Sequence, residues 1–273
     1  MLSWLDNNVF LRKDFDAEDS LIICGSRRSG TTWLMELLSK IPGYITLFEP
    51  FQPRWFPEAR RFSPDPKPDQ EWVHEYLRDV LEGRVRCSSS IYKVNFFNLR
   101  QRILGDKLLI KFVRANGLVG LIKYRLKSRC IIYLIRNPYA VVSSQLRTGI
   151  MPDISHMGMA APEPMESKLT SMWCEEQAVP LATEGICKIK YEDLVLDPRK
   201  VLAPLFSYLG YEECLDDALR GLRVASKLAS RPFKEIDGSI LDSWRRELTE
   251  KQIMNIGEVL SSRDFNYDEI KFM

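Results

Sequence analysis

The chain carries three short apolar runs without alternation: Leu21-Ile22-Ile23-Cys24, Leu108-Leu109-Ile110 and Cys130-Ile131-Ile132-Tyr133-Leu134-Ile135. Unbroken apolar character over so few residues is the signature of strands buried on both faces, which a covered parallel sheet provides. A fourth run, Ile186-Cys187-Lys188-Ile189-Lys190-Tyr191, partly alternates. A helix-like segment follows each run, at 32–40, 117–127, 139–146 and 198–209. Alternating strand and helix predict βαβ units, hence an α/β fold with a central parallel sheet of four to five strands and helices on both faces.

A length of 273 residues with 45% hydrophobic content suits one domain over 1–273, with a core of about 20–260. Two stretches break the alternation. Residues 50–70 are proline-rich and hold Phe51, Trp55, Phe56 and Phe62; residues 149–168 hold Gly149, Pro152, Gly158, Pro162 and Pro164. Irregular stretches of this length read either as surface connectors or as segments that shape a substrate site.

The net charge of +2 leaves no basic excess for neutralising a phosphate backbone, which argues against nucleic acid as a partner. Any anion site must be local. Six scattered cysteines without a CxxC pair read as reduced thiols, and two histidines, His74 and His156, give little for a metal centre. No apolar window is long enough for a membrane span, so the expectation is a cytoplasmic protein that requires no metal. Nothing in the sequence sets the oligomeric state.

The first apolar run enters Gly25-Ser26-Arg27-Arg28-Ser29-Gly30-Thr31-Thr32-Trp33, where a helical pattern begins. Strand, glycine turn and helix start together aim backbone N–H groups and the positive helix end at an anion. The spacing nearly meets the P-loop pattern GxxxxGK[ST], with Gly25 and Gly30 in place, but Thr31 stands where a nucleoside triphosphatase needs lysine. The positive charge comes earlier, from Arg27 and Arg28. The run ending at Ile135 leads into Arg136-Asn137-Pro138, a second strand-to-helix turn, and Ser144 follows eight residues after Arg136. An arginine and a serine so spaced can grip one phosphate from two sides.

These segments resemble the PAPS-dependent sulfotransferases (PAPS is 3′-phosphoadenosine-5′-phosphosulfate), which have a P-loop-like three-layer α/β fold. The resemblance runs from about residue 20 to 260 and is specific in the two nucleotide segments. It implies that Arg27, Arg28, Ser29, Gly30, Thr31 and Thr32 cradle the 5′-phosphosulfate. It places Trp33 and Tyr191 near the adenine, Tyr191 lying in Lys190-Tyr191-Glu192-Asp193-Leu194, where Glu192 and Asp193 read as structural caps or ion-pair partners. It gives Arg136 and Ser144 to the 3′-phosphate, with Ser143 as the neighbouring alternative. The Arg-Lys-Gly triplet that cytosolic members use on that phosphate is missing, and Lys227, Arg231 or Lys234 are the nearby cations.

Leu47-Phe48-Glu49-Pro50-Phe51 resembles the Tyr/Phe-Glu-Pro segment of carbohydrate sulfotransferases, and the tyrosylprotein enzymes place a catalytic glutamate at a similar distance from the phosphate loop. This implies Glu49 as the base, its apolar neighbours raising its proton affinity. The phenol and steroid branch carries Lys-x-His where this chain has Lys111-Phe112-Val113-Arg114, so that histidine is absent. Lys111 is expected to stabilise the leaving group and Arg114 to meet an acidic acceptor, unless both are ion-pair members. His156 is the alternative base. The resemblance thus implies sulfonate transfer from PAPS, releasing PAP (adenosine 3′,5′-bisphosphate), to a hydroxyl or amine on a small-molecule, carbohydrate or lipid acceptor. The rival readings are a P-loop kinase or NTPase, and an inactive nucleotide-binding protein of the same fold.

Overall fold

The computed structural model describes residues 14–53, 70–85, 103–149, 163–222 and 240–270. Along the chain, β1 (Leu21–Cys24) turns into α1 (Thr31–Leu38), and β2 (Tyr44–Phe48) precedes α2 (Glu71–Leu81). Then come β3 (Lys107–Phe112), β4 (Cys130–Ile135), α3 (Pro138–Thr148), α4 (Met165–Ala182) and β5 (Cys187–Lys190). The remainder is helical: α5 (Tyr191–Leu196), α6 (Pro198–Leu209), α7 (Leu215–Leu222), α8 (Trp244–Glu247) and α9 (Glu250–Ser262).

The sheet has five strands in the order β2-β3-β1-β4-β5, and every pairing is parallel. Alternate residues of each strand serve opposite faces. Leu21 and Ile23 meet Trp33, Leu34, Leu37 and Leu38 of α1 and Leu205 and Phe206 of α6. Ile22 and Cys24 join Val73 and Leu77 of α2, Val141 of α3 and Trp173 of α4. Two cores sandwich the sheet, so the strands must be apolar on both sides, as their sequences are.

Cys24 sits level with Phe112 and with Tyr133, so β1 and β3 end together and β4 runs on by two residues to Ile135. The chain leaves β1 toward β2 and leaves β4 toward β5, on opposite flanks of the sheet. The crevice between β1 and β4 is therefore a topological switch point, where open α/β sheets bind ligands.

Three expectations need correction. The stretch 117–127 is not one helix but a 3₁₀ turn, a single α turn and a π segment (Asn116–Leu118, Val119–Leu121, Ile122–Leu126), with Gly117 and Gly120 weakening regular helix in its first half. The irregular stretch 149–168 ends early, because α4 begins at Met165. Phe51 is a core residue rather than a pocket wall: it is fully buried, edge-on to Phe112 with centroids 5.0 Å apart. Trp55, Phe56, Phe62, His156, Lys227, Arg231 and Lys234 lie outside the described residues. Among the described residues, no helix is long and apolar enough to cross a membrane.

Candidate functional site

The turn after β1 is held by steric necessity. A Cβ on Gly25 would stand 2.3 Å from the Leu134 carbonyl oxygen. A Cβ on Gly30, whose φ is +99°, would stand 2.7 Å from the Tyr191 ring. Only glycine lets the loop lie this close to β4 and α5. Ser29 donates its N–H (3.1 Å) and its hydroxyl (2.6 Å) to the Ser26 carbonyl. Arg28 takes a left-handed conformation, φ 72°. Gly30 caps α1 without a side chain, so no side-chain cap occupies the first-turn N–H groups at the positive helix end.

The second turn delivers Arg136. Asn137 caps α3 by accepting from Tyr139 N–H (3.0 Å) and Ala140 N–H (3.4 Å), and Pro138 occupies the first helical turn. The Arg136 guanidinium lies 4.3 Å from the Tyr191 ring centroid and donates to the Arg28 carbonyl at 3.2 Å. Arg28 Nε donates to Ser144 Oγ at 3.0 Å. Ser144, not Ser143, therefore faces the loop; Ser143 donates to Glu247 of α8 at 2.7 Å. Burial, then Arg136, then Arg147 holds the Arg28 guanidinium below its usual pKa. An anion bound among these cations would relieve that repulsion. Arg136 Nε and Trp33 Nε1 are buried donors with no partner among the described residues, and Trp33 stands edge-on to Tyr191 at 5.7 Å. The geometry thus brings Arg28, Gly30, Trp33, Arg136, Ser144 and Tyr191 into one crevice.

Glu49 and Lys111 meet at the adjacent ends of β2 and β3. Phe48 is in register with Lys111, and Glu49 N–H bonds the Lys111 carbonyl at 2.7 Å. Their side chains form a buried ion pair, and Glu49 Oε2 also accepts from Val113 N–H at 3.3 Å. Glu49 itself adopts φ 53°. The apolar setting expected for Glu49 is in fact ionic, because the strand order places Lys111 beside it. Burial pushes Lys111 below its usual pKa; Glu49 opposes this, and Arg27 and Arg28 add to it. Arg27 and Arg28 are thus near enough for their charge to act on Lys111. Arg114 Nε donates to Gln52 Oε1 at 2.9 Å beyond the pair.

Several contacts escaped the sequence. Gln145 donates to the Arg27 carbonyl at 3.3 Å, and Gln177 to Ser26 Oγ at 2.8 Å. Glu192 accepts from Asn137 N–H at 3.1 Å and from the Tyr267 hydroxyl, a structural partner as expected. A glutamine within a helix carries no local signal for such roles. Five described cysteines have free thiols, and no described group of three or more His, Cys, Asp or Glu is arranged to hold a metal.

A family model described as Sulfotransferase family matches residues 20–217, most of the chain. No curated protein matched by sequence. Among solved structures, the sulfotransferase domain of a Synechococcus olefin synthase is 18% identical, covers 93% of this chain and 98% of its own, and superposes with a TM-score of 0.54. A mouse sulfotransferase complexed with PAP is 17% identical, covers 97% of this chain and 93% of its own, with a TM-score of 0.52. Both likenesses establish a shared fold.

Proposed function

The chain belongs to the sulfotransferase family, and from that premise we propose that it transfers a sulfonate group from PAPS to an acceptor hydroxyl or amine. The observation that carries this reading is the convergence of Arg28, Arg136 and Ser144 at the switch point beside the uncapped start of α1. That arrangement suits a donor with two separate phosphate positions. In this reading the loop from Arg27 to Thr32 holds the 5′-phosphosulfate, and Arg136 and Ser144 hold the 3′-phosphate. Trp33 and Tyr191 flank the adenine. The whole of 1–273 acts as one domain, and its free thiols fit a reducing compartment such as the cytoplasm.

In the reaction, an acceptor oxygen or nitrogen lone pair forms a bond to sulfur. The bond from sulfur to the 5′-phosphate oxygen breaks, and its electron pair leaves with PAP. The acceptor proton passes to the Glu49 carboxylate, which Lys111 and Val113 N–H hold in place. Arg28, Lys111 and the N–H groups of α1 stabilise the charge that grows on the departing phosphate. In this reading the acceptor is a small molecule, a carbohydrate or a lipid, and Arg114 would meet an acidic group on it.

Labelled PAPS offered with a panel of acceptors tests the activity. Glu49→Gln should bind PAP normally while turnover falls about 10²- to 10⁴-fold. Normal turnover in that variant moves the base elsewhere, with His156 the next residue to substitute. Absence of transfer to any acceptor, with PAP still bound, would favour an inactive nucleotide-binding protein.

A further inference from the structure

We propose that Gln177, in the second half of α4, is a positioning residue for the donor loop and acts through Ser26. The proposal rests on the reading of that loop as the PAPS site. Gln177 is fully buried, and its amide is hydrogen-bonded at both ends. Its Nε2 donates to Ser26 Oγ at 2.8 Å and to the Trp173 carbonyl at 2.7 Å, and its Oε1 accepts from the Tyr133 hydroxyl. A leucine or methionine would fill the same space in α4 without the cost of desolvating an amide. What the amide adds is direction: it joins α4, β4 and the loop at one point.

Ser26 is where that direction matters. It is 2% exposed, its hydroxyl is held by Gln177, and its carbonyl accepts both donors of Ser29. Two residues on, Arg28 is kept in a left-handed conformation that a non-glycine residue holds only when its surroundings enforce it. Without Gln177 the Ser26 hydroxyl loses one of its two anchors and keeps the other, Tyr133; the loop can then relax toward ordinary backbone angles, and Arg28 would leave Ser144. Gln177 touches neither donor nor acceptor, so its effect should appear in donor affinity.

The test uses the full chain and PAP, read by calorimetric titration beside thermal melts. Gln177→Met and Ser26→Ala should each bind PAP about tenfold more weakly, the scale of one lost buried hydrogen bond. The double variant should bind no more weakly than the weaker single, because both cut the same contact. Asn255→Ala is the control: it removes a 2.7 Å bond to buried Glu166, on the same helix but distant in sequence from Gln177. It should melt earlier yet bind PAP like the unaltered chain. If Gln177→Met does not fold, Ser26→Ala decides alone. Undiminished PAP affinity in a folded Gln177→Met or in Ser26→Ala, additive losses in the double variant, or an equal loss in Asn255→Ala overturns the role. An unaltered chain that ignores PAP overturns instead the reading of the loop, and the role of Gln177 with it.

Discussion

Arg28 lies at the meeting of two turns: its carbonyl receives Arg136 and its Nε reaches Ser144. Burial, and after it the neighbouring Arg136 and Arg147, lowers its proton affinity, a repulsion that a bound anion would relieve. Arg28→Ala should therefore leave the melting temperature unchanged or slightly raised while turnover falls about 10²- to 10³-fold, as measured by labelled sulfonate transfer. Gly30 makes the opposite case, where space and backbone decide. Gly30→Ala puts a methyl group 2.7 Å from the Tyr191 ring at φ +99°. That strain should cost about 1–3 kcal/mol, seen as an earlier melt. PAP affinity should also fall, since Tyr191 must swing away from Arg136. A variant that melts and binds normally would show that the ring moves freely.

The buried Glu49–Lys111 pair belongs to strands rather than to single residues, because only the register of β2 on β3 brings them together. Lys111→Met should destabilise by about 3–5 kcal/mol by leaving a buried carboxylate unpaired, and adding Glu49→Gln should restore most of the loss, as urea melts would show. The sign of the pH dependence follows from the same burial. Lys111 in the fold loses its proton below the 10.5 of an ordinary lysine. Between those two values the unfolded chain holds the extra proton, so the lysine's contribution to stability grows as pH rises. It is fully present above 10.5 and is lost as pH falls through the folded value. Urea melts across the alkaline range should show this slope in the unaltered chain and a flatter one in Lys111→Met. The pairing was illegible in the sequence for a topological reason: strand order is not written in local patterns. By contrast, β1 and β4 were legible to the residue, since both of their faces are buried and their runs are purely apolar. Thr46 interrupts the apolar run of β2 and hid that strand, although Tyr44 and Ile45 after Gly43 carry the β-propensity to reveal it. Helix α4 hid differently: Glu166, Ser167, Thr170 and Gln177 are buried along with Leu169 and Trp173, so no apolar stripe marks its inner face. The two strand-to-helix turns were readable because glycine, arginine and proline spacing reports local backbone geometry.

At the scale of the molecule, the proposed donor site gathers parts from distant stretches. The loop after β1 rests on α4 through Gln177, and the turn after β4 rests on Glu192, which the Tyr267 hydroxyl holds from near the C-terminus. A ligand that bridges both turns must therefore stabilise the molecule as a whole. At a hundredfold excess over its dissociation constant, PAP should add about 2.7 kcal/mol. For a chain of this size, that raises the melting temperature by about 5–10 °C. ATP with magnesium shares the adenine and the 5′-phosphates but lacks the 3′-phosphate proposed for Arg136 and Ser144, and Thr31 replaces the lysine that would reach its outer phosphates. Its shift at equal concentration should be small. A shift from ATP matching that of PAP would mean that the arginine cluster does not distinguish a 3′-phosphate, and the assignment of Arg136 and Ser144 would fail even if the loop after β1 still bound a nucleotide.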